Sequence, residues 1–157
     1  MKKAIVFDID GTLADISHRV HYLEGEKKDW DSFYDAMGDD KPIEGVMAIL
    51  NAFQSYIQNS QTDVTIFAFT GRPEKHREKT LRWLLENVQY PLMTLETILL
   101  MRKDGDHRAD TIVKKEMLDF IRGHGFEVIL AVEDRKRVVD MWRENGITCL
   151  QCAEGNF

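Results

Sequence analysis

Short apolar runs of strand length recur along the chain, and polar or charged residues follow most of them. The runs are KAIVFDI at 3–9, DVTIFAF at 63–69, LETILLM at 95–101, FEVILAV at 126–132 and a shorter run at 147–150. Nearly continuous apolar runs of this length are typical of strands that are buried on both faces of a parallel sheet. The pattern therefore predicts five strands, most of them buried.

Segments with helical periodicity separate these runs. The first begins near Pro42 and places apolar residues three and four positions apart. Its predicted apolar face consists of Ile43, Val46, Met47, Leu50, Phe53 and Ile57. A turn at residues 70–73 places Pro73 to open a second helix. The apolar side of that helix is predicted to hold Leu81, Leu84, Leu85 and Val88.

Two further helices are predicted toward the C-terminus. One covers residues 110–122 with Gly123 as its C-cap, and the other covers residues 135–145 and ends at Gly146. Alternating strands and helices predict an α/β fold with a mainly parallel sheet, covered on both faces and joined by right-handed crossovers. At this length we expect residues 1–157 to form a single domain.

Residues 13–40 interrupt the alternation with 28 polar and aromatic residues that show no clear period. A connection of that length usually carries function or folds as a small unit. We therefore expect a small cap-like insert after the first strand. Its aromatic residues can pack the core of that cap or stack a terminal nucleobase, and both interpretations stay open. They are Tyr22, Trp30, Phe33 and Tyr34.

Composition and charge exclude some classes of function. With 43% hydrophobic and 31% charged residues, the chain is globular in composition, and 157 residues bury a core without a disulfide or metal. A net charge of −6 argues against a protein that coats long stretches of nucleic acid, but it permits a local basic site. No apolar run approaches the roughly 20 residues of a membrane span, and no signal peptide is recognisable. We expect a cytoplasmic protein without membrane association, in which Cys149 and Cys152 are reduced thiols.

Chemically active side chains follow the predicted strands, at the edge of the sheet where α/β proteins form their sites. The first strand ends in Asp8–Thr12, the second in Thr70–Arg72 and the fourth in Glu133–Arg135. Lys114 lies one turn into the helix after the third strand, and Asp110 begins that helix. The topology therefore predicts that these residues meet at one edge.

Carboxylates that converge at one edge repel one another unless a cation is present, and hard oxygen ligands suit Mg²⁺. Asp8 can bind the metal with one oxygen and present the other to an electrophile. Asp10 can offer its backbone carbonyl to the metal while its side chain moves a proton. Thr70 and Lys114 can hold phosphoryl oxygens. Covalent phosphoryl transfer requires such a nucleophile, acid/base group and set of phosphate ligands.

In this order, the motifs resemble those of the haloacid dehalogenase superfamily of phosphatases. The resemblance is closer to the phosphatase domain of polynucleotide kinase-phosphatases, which repair nucleic-acid ends. It spans almost the whole chain. The matching residues are IVFDIDGTLA at 5–14, Arg19, Thr70–Arg72, Gly105–Arg108 through Lys114, EDRKRVVDMW at 133–142 and CLQCAEGNF at 149–157.

The resemblance implies a three-layer, Rossmann-like α/β/α fold and a role for each matching residue. It implies that Asp8 is the nucleophile, that Asp10 is the general acid/base, and that Thr70 and Lys114 hold the phosphate. Asp8, Asp10 and Asp134 match the positions that bind Mg²⁺. Positions that bind substrate or brace the site are matched by Arg19, Gly71, Arg72 and Asp110. The acidic pair of the family is often Asp-Asp, so Glu133 is a departure.

The function that the resemblance implies is Mg²⁺-dependent removal of a 3′-phosphate from DNA or RNA ends through an aspartyl-phosphate. A small-nucleotide monophosphatase of the same superfamily is the alternative. Basic residues at 72–82, 102–108 and 135–137 are either ordinary solvated charges or a funnel for an anionic substrate. The chain holds no G-x-x-x-x-G-K-[ST] motif, so we expect no kinase activity from it. Protein partners stay unknown at this point.

Other functions fit less well. A receiver-type phosphoacceptor also uses Asp, Thr, Lys and Mg²⁺, but its acceptor comes later in the chain than the first strand. A dehalogenase would use Asp8 but needs no second acid such as Asp10. A binding domain without catalysis is the alternative outside the enzymes.

Overall fold

The computed structural model describes residues 1–60, 62–88 and 98–155. Its strands are β1 (Lys2–Asp8), β2 (Ala14–Asp15), β3 (Lys41–Pro42), β4 (Val64–Pro73), β5 (Leu99–Arg102), β6 (Phe126–Glu133) and β7 (Thr148–Gln151). Its α-helices are α1 (Trp30–Asp35), α2 (Glu44–Ser60), α3 (Arg77–Asn87), α4 (Asp110–Gly123) and α5 (Lys136–Glu144). Short 3₁₀ segments cover Ser17–Leu23, Ala36–Asp39 and Glu74–His76.

The larger sheet of the described residues is parallel throughout, in the order β5-β4-β1-β6-β7, with helices on both sides. The predicted α/β fold is therefore confirmed. Strand β1 lies at the centre, and its residues from Ala4 onward are buried. Its register pairs Asp8 with Phe69 of β4 and Phe7 with Val132 of β6. The residues that follow these partners, Thr70 and Glu133, therefore lie beside the end of β1.

Two predicted local features are wrong. Residues 70–73 do not form a turn before α3: they extend β4, and the pairing with β5 shifts register between Thr70 and Pro73. Leu85 is 61% exposed, because α3 buries Thr80, Trp83 and Leu84 instead. The Trp83 indole N–H donates to the carbonyl oxygen of Asp40 at 2.7 Å, which turns that side of α3 toward the insert.

The other predicted elements agree with the structure, with small shifts at their ends. Gly123 is the last residue of α4, but the glycine with positive φ after this helix is Gly125, with φ 84°. Gly146 has φ 77° and follows α5 as predicted. Residues 95–97 of the predicted third strand lie outside the described residues, and β5 begins at Leu99.

The insert at 13–40 contains an apolar cluster that is separate from the main core. Strand β2 pairs antiparallel with β3, and Ile16, Leu23 and Phe33 form the buried cluster. The aromatic residues differ in burial: Phe33 is 2% exposed and belongs to this cluster, whereas Trp30 is 44% exposed. Across the described part of the chain, no helix is both long and apolar enough to span a bilayer.

Candidate active site

A tight turn directly after β1 brings the two acids of the first motif to the edge of the sheet. The backbone N–H groups of Leu13 and Ala14 both donate to the Ile9 carbonyl at 2.9 Å. Gly11 takes φ 83°, a conformation that other residues rarely adopt. Asp8 is consequently buried at the strand end, while Asp10 faces the cavity with 13% of its side chain exposed.

Lys114 joins the ends of β1 and β6. Its Nζ donates to Asp8 Oδ1 at 2.5 Å and to Glu133 Oε2 at 2.6 Å, and the residue is 3% exposed. Burial alone would lower the pKa of Lys114, but the two carboxylates outweigh it and raise the pKa. The side chain is therefore a fixed positive charge on one oxygen of Asp8.

Three buried carboxylates meet at this point and fit a divalent cation. Oxygen atoms of Asp8, Glu133 and Asp134 all lie within 4.8 Å of one another. Burial, together with the charge of the neighbouring acids, raises the pKa of Asp8 to about 7 and that of Asp134 to about 9. With all three acids ionised, Lys114 balances one charge and leaves the cluster at −2. Hard oxygen donors with an unbalanced negative charge suit Mg²⁺.

The Asp10 carboxylate accepts hydrogen bonds from two arginines that are completely buried. Arg19 Nη2 donates to Asp10 Oδ1 at 2.5 Å, and Arg72 donates from Nη2 at 2.7 Å and from Nε at 3.0 Å. Burial would raise the pKa of Asp10, but the two guanidinium groups lower it far below its ordinary value. In this structure, both arginines therefore bind the Asp10 carboxylate and hold it in place.

The residue that balances these arginines is Asp40, which the sequence patterns did not single out. Its Oδ1 accepts from Arg19 Nε at 2.6 Å, and its Oδ2 accepts from Arg19 Nη2 at 2.6 Å and Arg72 Nη2 at 2.9 Å. His18 Nε2 lies 2.8 Å from Asp40 Oδ1. Asp40 ends the insert and belongs to no recognised motif. The one signal that could have identified it is that two buried arginines need a second carboxylate besides Asp10.

The remaining candidate residues are placed around Asp110 and the end of β4. Thr70 is fully buried, and its hydroxyl accepts from the Arg72 N–H at 3.1 Å. Asp110 forms ion pairs with Arg102 and Arg135. A side chain at Gly71 would place its Cβ 3.2 Å from Asp110 Oδ1, so the absence of one lets Asp110 approach β4.

A cavity of about 1170 Å³ opens above these groups. Asp8, Asp10, Gly71, Asp110 and Lys114 contribute to its wall, whereas Thr70, Arg19 and Arg72 are not among its described lining residues. Further lining residues come from the insert, the 3₁₀ segment after β4, the end of β5, the loop before α4 and the first turns of α5 with the residue before it. These are Lys28, Trp30, Asp31, Phe33, Tyr34, Lys75, Arg102, the residues at 104–109, Arg135, Lys136, Arg137 and Asp140.

A comparison with known protein families identifies the family of this chain. Residues 2–157 match the family described as the polynucleotide kinase PNKP phosphatase domain. This chain belongs to that family. It is thus a hydrolase domain of the haloacid dehalogenase phosphatase type, which confirms the resemblance that the motifs indicated.

Solved structures agree with the family. A chain of the Pnkp1/Rnl/Hen1 complex is 31% identical with TM-score 0.74, and the similarity covers 100% of this chain and 47% of that one. A chain of the Pnkp1/Rnl/Hen1 RNA repair complex is also 31% identical, with TM-score 0.76 and coverage of 100% and 44%. The phosphatase-domain chain described here therefore spans less than half the length of these relatives. The class C acid phosphatase of Bacillus anthracis with tungstate bound shares the fold, at 15% identity, TM-score 0.65 and coverage of 99% and 68%.

The buried arginine pair yields a prediction for Asp40. Replacing Asp40 with Ala leaves two guanidinium groups opposite one carboxylate, and removal of one partner from a buried ion pair typically costs about 3–5 kcal/mol. We expect the free energy of unfolding of Asp40→Ala, measured by urea denaturation, to fall by about that amount. Asp39→Ala removes the adjacent, exposed carboxylate and is the matched control. Equal unfolding free energies for the two variants would contradict the charge-balancing role of Asp40.

Proposed function

We propose that this chain is a Mg²⁺-dependent phosphomonoesterase that removes a 3′-phosphate from the ends of DNA or RNA strands through an aspartyl-phosphate on Asp8. The observation that carries the proposal is the setting of Asp8. It is a buried carboxylate at the end of the central strand, with Lys114 on one oxygen and Asp10 two residues away. Membership of the phosphatase-domain family supports the same chemistry.

The nucleophilic step uses the two oxygens of Asp8 differently. Among the described residues, Lys114 holds Oδ1, which leaves Oδ2 to attack the phosphorus atom. A bond forms between Oδ2 and phosphorus, the bond from phosphorus to the 3′-oxygen breaks, and the 3′-oxygen leaves with the bonding electrons. The Lys114 ammonium, which is held beside Asp8, is the proposed counter-charge for the phosphoryl oxygens, and the Thr70 hydroxyl is the second proposed phosphate ligand.

Proton transfer is the proposed task of Asp10. The 3′-oxygen needs a proton as it leaves, and the water that hydrolyses the aspartyl-phosphate must give one up. Arg19 and Arg72 hold the Asp10 carboxylate ionised, so the resting site is prepared for the second step, in which Asp10 accepts the proton from water. For the first step, Asp10 takes up a proton from solvent and passes it to the leaving 3′-oxygen, and the proton that Asp10 accepts from water in the second step returns to solvent.

The acidic cluster is the proposed Mg²⁺ site. The residues that would hold the ion are Asp8 and Asp134 through their side chains and Asp10 through its backbone carbonyl. When bound, the ion would supply positive charge that offsets the repulsion between these carboxylates and an incoming phosphate. Glu133 accepts a hydrogen bond from Lys114. Its longer side chain therefore reaches the Lys114 ammonium group and helps to hold that group in place.

The wall of the cavity favours a nucleic-acid end over a small nucleotide. Eight basic and seven acidic side chains line it, so it carries a net charge of +1 in a chain whose net charge is −6. Trp30 is half-exposed at this wall and stacks on Tyr34, with ring centroids 5.9 Å apart. Lys28 Nζ lies 5.6 Å from the Trp30 ring. An exposed aromatic ring beside a cation can stack a terminal base.

The basic residues around α3 contribute little to this surface. Arg77, Lys79 and Arg82 form ion pairs with acids close to them. Of the basic side chains at 72–82, Lys75 is the one among the lining residues of the described cavity. The proposed funnel therefore consists of Lys75 and of the basic residues around Arg102, Arg135 and the insert.

Asp8→Asn tests the nucleophile. The amide keeps the shape of the side chain but is not nucleophilic, so we expect turnover of a 3′-phosphorylated oligonucleotide in Mg²⁺ to fall by about 10⁴-fold or more. Asp63→Asn changes an exposed carboxylate next to the opposite end of β4 and should keep full activity. Near-parental turnover by Asp8→Asn would exclude the covalent mechanism.

A comparison of substrates tests the proposed specificity. We expect kcat/KM to be highest for 3′-phosphorylated oligonucleotides, lower for 3′-mononucleotides and lowest for 5′-mononucleotides, because a strand end contacts more of the cavity wall. EDTA should stop the reaction, and Mg²⁺ should restore it. A preference for mononucleotides would support the alternative, a small-nucleotide monophosphatase.

Trp30→Ala tests base stacking. Removal of one stacking platform costs about 1–3 kcal/mol, which corresponds to a roughly 5- to 150-fold higher KM for the oligonucleotide. Hydrolysis of p-nitrophenyl phosphate, which has no base, should change little. Tyr56→Ala removes an aromatic ring that is 57% exposed on α2 and is not among the cavity-lining residues, and it serves as the control. If Trp30→Ala raised KM equally for both substrates, Trp30 would have no role in base recognition.

A further inference from the structure

Residues 151–155, termed the tail here, comprise the last residue of β7 and the four residues that follow it, and they lie beside the end of β6. The backbone N–H of Cys152 donates to the Glu133 carbonyl at 3.0 Å. The Asp134 carbonyl accepts two bonds from the tail, one from Gln151 Nε2 at 3.1 Å and one from the Gly155 N–H at 3.2 Å. The tail is thus attached to the backbone of the same two residues whose side chains complete the acidic cluster.

Gly155 lies against the Asp134 carboxylate with no room for a side chain. A Cβ at this position would overlap Asp134 Oδ2 and lie 2.7 Å from Asp134 Cγ and 3.0 Å from Arg135 Cγ. Gly155 is not among the glycines with positive φ, so the requirement for glycine comes from space rather than from backbone conformation. Gly155 also lines the cavity.

A larger residue at position 155 would displace the carboxylate of Asp134. Asp134 is 1% exposed, and its other oxygen lies 3.4 Å from Thr12 Oγ1, which borders the carboxylate on that side. The atoms in the way of a Cβ belong to side chains rather than to backbone. A methyl group at residue 155 can therefore be accommodated by rotation of the Asp134 side chain, with little consequence for the fold and a direct one for the acidic cluster.

We infer that Gly155 is a positioning residue: its missing side chain lets the Asp134 carboxylate stay in the cluster with Asp8 and Glu133, and the tail thereby sets the affinity for Mg²⁺. The inference rests on the proposed function for the identity of the ion. It assigns a role to the segment at the end of β7, which contacts the backbone of Asp134 through the Gln151 side chain and the Gly155 N–H. Residues that orient metal ligands typically change metal affinity by about 10- to 100-fold when they are replaced.

Calorimetric titration with Mg²⁺ alone, without substrate, tests this inference. We expect Gly155→Ala to bind Mg²⁺ about 10- to 100-fold more weakly than the parent while its urea midpoint in EDTA stays close to the parental value. Turnover should recover as the Mg²⁺ concentration is raised, since the carboxylate is turned away but still present. Gly45→Ala makes the same chemical change where, apart from its chain neighbours and the backbone of its own helix, nothing lies within 4 Å of the new Cβ, and it should bind Mg²⁺ like the parent.

A second variant keeps the test decisive if Gly155→Ala does not fold. Gln151→Ala removes the side chain that bridges Asp134 and Ala153, and Gln151 is exposed, so folding should survive. It should weaken Mg²⁺ binding in the same direction.

Parental Mg²⁺ affinity in a folded Gly155→Ala, or in Gln151→Ala where Gly155→Ala does not fold, would overturn the inference, as would a parent that binds no Mg²⁺. A parent that binds Mg²⁺ but does not hydrolyse 3′-phosphorylated oligonucleotides would refute the proposed function and leave the role of Gly155 to the titration.

Discussion

Burial of charge at the carboxyl end of β1 is the constraint on which the rest of the structure depends. Removing an ion from water costs several kcal/mol unless partners replace the solvent. The central position of β1 forces Asp8 out of water, and the turn that follows keeps Asp10 close by. The remaining charged groups of the site are arranged around the need to compensate these two carboxylates.

The compensation is complete on one side and incomplete on the other. Asp10 and Asp40 face two arginines, so that this half carries no net charge and is tightly hydrogen-bonded. Asp8, Glu133 and Asp134 face a single lysine. The balanced half holds the side chain of Asp10 by hydrogen bonds to both arginines, whereas the unbalanced half sets three carboxylates against one ammonium group. This asymmetry explains why the two acids of one short motif have pKa values shifted in opposite directions.

The insert contributes both to the charge balance of the site and to the wall of the cavity. It ends at Asp40, whose carboxylate neutralises the arginines and whose carbonyl oxygen accepts the bond from Trp83. Its apolar cluster around Phe33 stabilises this arrangement, and the Phe33 ring also lies 4.1 Å from the Arg19 guanidinium carbon. The same short segment presents Trp30 at the cavity wall. One small folded unit therefore balances the buried charge and provides part of the surface that a substrate would meet.

The sequence by itself determined the layers of the fold and the residues at the strand ends. Apolar runs specify buried strands, and parallel strands bring their carboxyl ends to one edge, so Asp8, Lys114 and Asp134 could be grouped without a structure. Tertiary structure alone decided the extension of β4 through Pro73, the exposure of Leu85, the pairing of Asp40 with the arginines and the contact of Gly155 with Asp134. Local periodicity reports which residues are apolar, whereas charge balance and free space depend on atoms that are distant in the chain and meet only after folding.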